Sequence, residues 1–224
     1  MRKVLFAVVG ACLLALCVAT QAAHANDITV CTPDGKYCES ADPNSLQGAI
    51  DGAVRGSVIT LGSGIYTEQN ILIKRNVVIR GVGPHQTIIQ ANDLPCLEPG
   101  RAVTSTARAF AILGSRVTME DLTIRNGCAV GGDEDAQGGA IWSSGELTLN
   151  HVILQENTAL IAKPEVGGLA SMAGSALGGA IFNAGTLRIN RSSILTNTAA
   201  AEANAAFGGG IYNNGSATII NTTL

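Results

Sequence analysis

Three segments of this chain repeat one another: GAIWSSGELTLN at 139–150, GAIFNAGTLRIN at 179–190 and GGIYNNGSATII at 209–220. Self-similarity of this kind restricts the fold more than any single residue, because a unit this short cannot bury its own apolar face and must stack on copies of itself. Each copy places a Gly four residues after an Ile: Ile141 to Gly145, Ile181 to Gly185, Ile211 to Gly215, with Phe110 to Gly114 as a looser relative. An Asn follows twelve residues later in the pairs Gly114 and Asn126, Gly145 and Asn157, and Gly185 and Asn197. The first pair keeps that spacing only through compensating shifts of one residue. Within each copy apolar and polar residues alternate, as in Leu147-Thr148-Leu149 and Leu187-Arg188-Ile189, which is the period of a strand. What varies is the Gly-, Ala- and Ser-rich stretch between each Asn and the next strand, so insertions fall on one face.

Composition agrees with stacked short strands. Of 224 residues 27 are Gly, 46% are hydrophobic, and only 4% are aromatic, so a core must be layered from Val, Ile, Leu and Ala. Charged residues are 14% and the formal net charge is −3, which is a poor match for phosphate backbones or polyuronate chains and excludes a nucleic-acid partner. The fold class expected is all-β, a parallel β-helix solenoid. Asn126, Asn157 and Asn197 are expected to form one column at a bend, where Asn tolerates a left-handed backbone. Upstream, SLQGAIDGAV at 45–54 sets Leu46, Ile50 and Val54 on one helical face, with Asn44 or Ser45 as N-cap. This helix is expected to close one end of the solenoid.

Arg2-Lys3, an apolar run and Ala23-His24-Ala25 follow the order of a secretory signal peptide, so 1–25 is expected to be removed near Ala25. The remaining 26–224 reads as one β-helix domain, secreted or held at the cell surface or outer membrane. Export leaves Cys31, Cys38, Cys96 and Cys128 for disulfides; of three pairings, Cys31 with Cys38 and Cys96 with Cys128 is favoured because the first closes a short loop around Pro33-Asp34-Gly35. The last repeat reaches Leu224 before its Asn, expected near 227, so further coils are expected, and any membrane attachment falls to a region beyond Leu224.

The stretch from Ser45 to Asn92 resembles the opening coils of the right-handed parallel β-helix (pectin-lyase-like) superfamily. Its Gly64-Ile65-Tyr66-Thr67-Glu68 is similar to the GxYxE segment of pectin methylesterases. GGAIWSSG, GGAIFNAG and GGGIYNNG resemble the GGAI repeats of polymorphic outer-membrane proteins and related surface β-helix proteins. The resemblance implies a right-handed coil and a surface-exposed or polysaccharide-active protein. The esterase's later catalytic Asp pair and Arg, the polygalacturonase blocks and the pectate-lyase Arg-rich motif have no matching positions here, so it carries over no catalytic residue.

Three sets of residues could carry chemistry. Aligning the repeats places Asp121, His151 and Arg191 in one column, beside Glu120, Asn150 and Asn190; an acid, an imidazole and a guanidinium on successive strands could bind an anion or move a proton. The same column could equally be a solvated one in which opposite charges relieve repulsion. Trp142, Phe182 and Tyr212 follow the repeated Ile. With Ile inward, the rings form an outward strip able to hold sugar rings or a partner; with the opposite register they are a core ladder. Asp133, Glu134 and Asp135 in a Gly-flanked loop could attract Ca²⁺, although such loops are commonly just solvated. No cofactor is expected. Two functions are carried forward: a non-catalytic adhesin-like or passenger segment whose loops bind carbohydrate or a host or cell-surface protein, and a polysaccharide lyase, hydrolase or esterase.

Overall fold

A computed structural model describes residues 27–30, 45–97, 105–161, 174–201 and 205–224. The expected signal peptide and the Cys31–Cys38 pair lie outside these residues. The described residues are all-β apart from one short helix, and their strands come in successive passes. The first described strand is β1 (Asp27–Val30), followed by the helix α1 (Leu46–Gly52). One pass then holds β2 (Ser57–Leu61), β3 (Gly64–Thr67) and β4 (Ile71–Ile73). The next holds β5 (Val77–Arg80), β6 (Thr87–Gln90) and β7 (Phe110–Ile112). A third holds β8 (Arg116–Arg125), β9 (Cys128–Gly131), β10 (Ala136–Gln137) and β11 (Ile141–Ser143). A fourth repeats this with β12 (Glu146–Gln155), β13 (Thr158–Ile161), β14 (Ala176–Leu177) and β15 (Ile181–Asn183). Then come β16 (Thr186–Asn190), β17 (Ser193–Leu195), β18 (Thr198–Ala201), β19 (Ala206–Phe207) and β20 (Ile211–Asn213), and finally β21 (Ser216–Ile220).

Every strand-to-strand pairing between these passes is parallel. A ten-stranded sheet runs β1-β2-β5-β8-β12-β16-β21, with β6 pairing the C-terminal half of β8, β3 pairing β6, and β17 pairing the C-terminal half of β12; a five-stranded sheet runs β4-β7-β11-β15-β20; and two three-stranded sheets run β9-β13-β18 and β10-β14-β19. The passes from β8 onward give strands to all four sheets and the two before them only to the ten- and five-stranded sheets, so like positions of the repeat become neighbours in space. Ile59, Ile79, Met119, Leu149, Ile189 and Ile219 form one such column. All of these except the exposed Ile219 join Ile71, Phe110, Ile141 and Ile181 in a continuous, mostly aliphatic core, each full burial contributing roughly 1.5–3 kcal/mol.

The paired glycines of the repeat solve two backbone problems. Gly138, Gly178 and Gly208 adopt φ of +61°, +70° and +63°, which a side chain would disfavour. The next glycines are needed for proximity: a Cβ on Gly139 would lie 2.4 Å from Gly179 O, and one on Gly179 would lie 2.1 Å from Gly209 O.

α1 ends earlier than its apolar spacing suggests. Leu46, Ala49 and Ile50 are buried and Ser45 is the N-cap, its Oγ accepting from Gly48 N–H at 3.0 Å. Ala53 is the C-cap, so Val54 falls outside the helix. The GIYTE segment is occupied structurally: Glu68 accepts from Leu46 N–H at 2.5 Å and Gln47 N–H at 3.2 Å, tying α1 to β3, while buried Tyr66 donates to Gly62 O.

The Asn column also needs correcting. Arg125 pairs with Gln155 and Cys128 with Thr158, so Gly127, not Asn126, lies opposite Asn157. Phe110 pairs with Ile141 but Arg116 with Glu146, so the extra residue of this pass is taken up around Gly114, at φ +58°, and no later deletion restores Asn126. Asn157 and Asn197 do share a column. Asn157 accepts from Gly127 N–H at 2.9 Å and donates to Asn197 Oδ1 at 3.0 Å. Asn126 instead donates to Asn92 O at 3.0 Å, and Asn92 Nδ2 donates back to Asn126 O.

Candidate functional site

The bend between the two halves of the long strands gathers the charged candidates. Asp121, His151 and Arg191 sit there at φ of +54°, +54° and +48°, one above another by strand register. The break in alternation that a left-handed residue imposes turns all three side chains outward. His151 Nδ1 lies 2.6 Å from Asp121 Oδ1, and both side chains are about half exposed (55% and 43%). With Nδ1 engaged by the carboxylate, Nε2 is the ring nitrogen left for an outside group. Beside this column Glu120 accepts from Arg80 Nε at 2.9 Å and from Asn150 Nδ2 at 3.3 Å. Arg191 is exposed, and its main-chain N–H continues the ladder to Ile220 O at 3.2 Å. An acid-oriented imidazole is present, but it stands on an exposed corner.

Trp142, Phe182 and Tyr212 form a ladder on the outer side of the five-stranded sheet, since Ile141 and Ile181 point into the core. The rings lie nearly parallel, at 4° and 10°, with centroids 6.3 and 5.6 Å apart. Phe182 is nonetheless 6% exposed, because each ring covers the face of its neighbour. Trp142 has Ala111 on its other side and donates from Nε1 to Gln137 Oε1 at 2.8 Å. Ring edges rather than faces are therefore turned toward an outside partner, and each stacked pair contributes about 0.5–1.5 kcal/mol to holding passes together.

Asp133, Glu134 and Asp135 are exposed in the turn after β9, and Asp135 accepts from Ser175 N–H at 2.7 Å. Among the described residues no group of three or more His, Cys, Asp or Glu is placed to hold a metal ion. Cys96 and Cys128, both buried, are joined by a disulfide that ties the turn after β6 to β9.

Two polar features escaped the sequence reading. Arg55, Asn76, Arg116, Glu146 and Thr186 line a shallow groove of about 350 Å³ above the stacked Gly145 and Gly185. Arg116 donates to Glu146 at 2.8 and 3.2 Å, and this bond and charge raise the Arg116 pKa and hold the Glu146 carboxyl below its ordinary value. A second Asn ladder lies inside the neighbouring corner, where Asn183 Nδ2 donates to Asn213 Oδ1 at 2.6 Å and to Gly185 O at 3.2 Å. The third residue of IFN and IYN was its available signal; the corresponding Ser143 is buried with its Oγ unpartnered. Elsewhere, burial lowers the Arg108 guanidinium to about 10, so it remains charged at neutral pH.

Among the described residues no helix is long and apolar enough to cross a membrane. Compared with known families and curated proteins, the chain matches no family model and no curated sequence.

Proposed function

We propose that this chain is an exported, right-handed parallel β-helix, capped at one end by α1, that works as a non-catalytic adhesin-like or passenger segment. The observation carrying this reading is where the repeats differ. The strands β8–β11, β12–β15 and β16–β20 keep one order, while the connections from β9 to β10, β13 to β14 and β18 to β19 differ in length and composition. A stack of strands whose variable connections all link the same two sheets suits recognition of an extended partner, a carbohydrate or a protein of a host or cell surface. The GGAI-type repeats and the leader-like N-terminus support a secreted or surface location.

The test is binding of the intact protein to arrayed cell-surface glycans and purified surface proteins. It is run beside a variant whose residues 162–173 are replaced by a short Gly-Ser connection. Binding that falls at least tenfold in the variant, with thermal unfolding unchanged, is the expected result. The close contact between His151 and Asp121 favours one alternative, a polysaccharide-active enzyme. Turnover of any polysaccharide that His151→Ala abolishes would replace the binding reading with that one. Mass spectrometry of the exported protein should find a mature N-terminus near Asn26.

A further inference from the structure

Among the described residues three sheets open at an internal strand: the five-stranded sheet at β4, and the two three-stranded sheets at β9 and β10. An opening strand presents main-chain donors and acceptors with no strand beside them, the usual template for edge-to-edge association. Here each is met by a side chain or a short piece of chain. On β4, Ile71 N–H donates to Ala109 O and Ile73 O accepts from Leu113 N–H, both toward β7, which leaves the Leu72 groups facing away. Gln47 of α1 takes both, accepting from Leu72 N–H at 2.7 Å and donating to Leu72 O at 3.2 Å. On β9, Cys128 exchanges both main-chain bonds with Ala107, at 3.0 and 2.7 Å. Val130 does the same with the Thr106 hydroxyl, which accepts from its N–H at 3.0 Å and donates to its carbonyl at 3.1 Å. On β10, Ala136 and Gly138 N–H donate to the following pass, and the carbonyls of Gln137 and Gly138 accept from Arg108 at 2.6 and 2.8 Å.

We infer that Gln47, Thr106 and Arg108 are side-chain substitutes for missing strands, and that together they close this end of three sheets against strand addition by a second copy of the chain. A primary amide and a hydroxyl can each donate and accept at once, which is what an extended residue does in a ladder. A guanidinium only donates, and on β10 it is carbonyls that it meets. The consecutive placement of Thr106, Ala107 and Arg108 lets one segment serve two sheets whose first strands lie in the same pass. This inference is independent of the binding reading above, since it concerns which end of the stack can accept a neighbour.

The experiment compares the full chain with the triple variant Gln47→Met, Thr106→Val, Arg108→Met, which keeps side-chain bulk and removes the polar substitutes. Mass is measured by light scattering across a hundredfold concentration range. The expected result is association in the triple variant that grows with concentration and exceeds that of the parent. A folded triple variant with the parent's mass at every concentration would overturn the inference. Should the triple variant not fold, Thr106→Val alone is read by amide exchange. Val130 N–H should be protected in the parent and exchange about tenfold faster in the variant, with Ala129 unchanged. Equal exchange at Val130 in the two proteins would sink the idea.

Discussion

Met119, Leu149 and Ile189 in the middle passes and Ile219 in the last described one occupy the same column and the same place in the repeat, yet the first three are at most 1% exposed and Ile219 is 39% exposed. The local geometry hardly differs, since β16 and β21 are both five-residue strands in one parallel ladder. Burial in this molecule is conferred by a neighbour on each side, not by a side chain's own strand. In the opening passes α1 packs Leu46, Ala49 and Ile50 into the core and is joined to the chain beside it through Glu68 and Gln47.

Paired substitutions can break or sharpen that contrast. The largest difference is expected at the glycines. Gly179→Ala must push a Cβ to within 2.1 Å of Gly209 O and 2.5 Å of Thr198 N, whereas a Cβ at Gly209 meets only Asn197 O, at 3.3 Å. Denaturant unfolding should show a loss of about 4 kcal/mol for the first and well under about 1 kcal/mol for the second. Similar losses at both would mean the last pass is packed like the middle. Next in size, Leu149→Ala should cost about 3 kcal/mol and Ile219→Ala about 1 kcal/mol or less, because only the first leaves a cavity.

A smaller effect, of opposite sign, is expected at Ser143. Asn at this position would extend the ladder of Asn183 and Asn213 by one rung, and Ser143→Asn should raise stability by about 1 kcal/mol in thermal unfolding. A drop instead would show that the corner has no room for the amide. The smallest effect concerns the exposed Arg116 and Glu146 pair. The Glu146 carboxyl titrates below its ordinary value in the folded chain, so its contribution is present above the ordinary value and lost as pH falls through the lowered one. The melting temperature of Glu146→Gln should lie slightly below the parent's near pH 6 and converge on it as pH falls below the ordinary carboxylate range; a gap that does not narrow in acid would assign the difference to packing.

Much of the fold was legible in the repeats. The alternation in Leu147-Thr148-Leu149 correctly puts Leu147 and Leu149 inside. The Asp121, His151 and Arg191 column was likewise readable from spacing alone, because parallel strands in uniform register carry sequence offsets straight into space. The reading failed at Asn126, where a fixed distance of twelve residues hid a one-residue slip. The extra residue at Gly114 was absorbed locally, as the core columns from Val117 to Ile124 admit no shift without turning every side chain inside out.

The sequence by itself determined the parallel short-strand architecture and the aliphatic core, since each follows from a local pattern repeated at a set interval. Only the tertiary structure decided that the aromatic rings cover one another's faces, and that Glu68 serves α1. It also decided that Gln47, Thr106 and Arg108 stand where strands are missing. These depend on which atoms of distant passes meet, at sequence separations of about 20 to 40 residues and across sheet edges that no periodicity encodes. A repeat specifies how its copies stack, but an edge is defined by the absence of a copy, and what fills that absence follows from the geometry of the assembled chain.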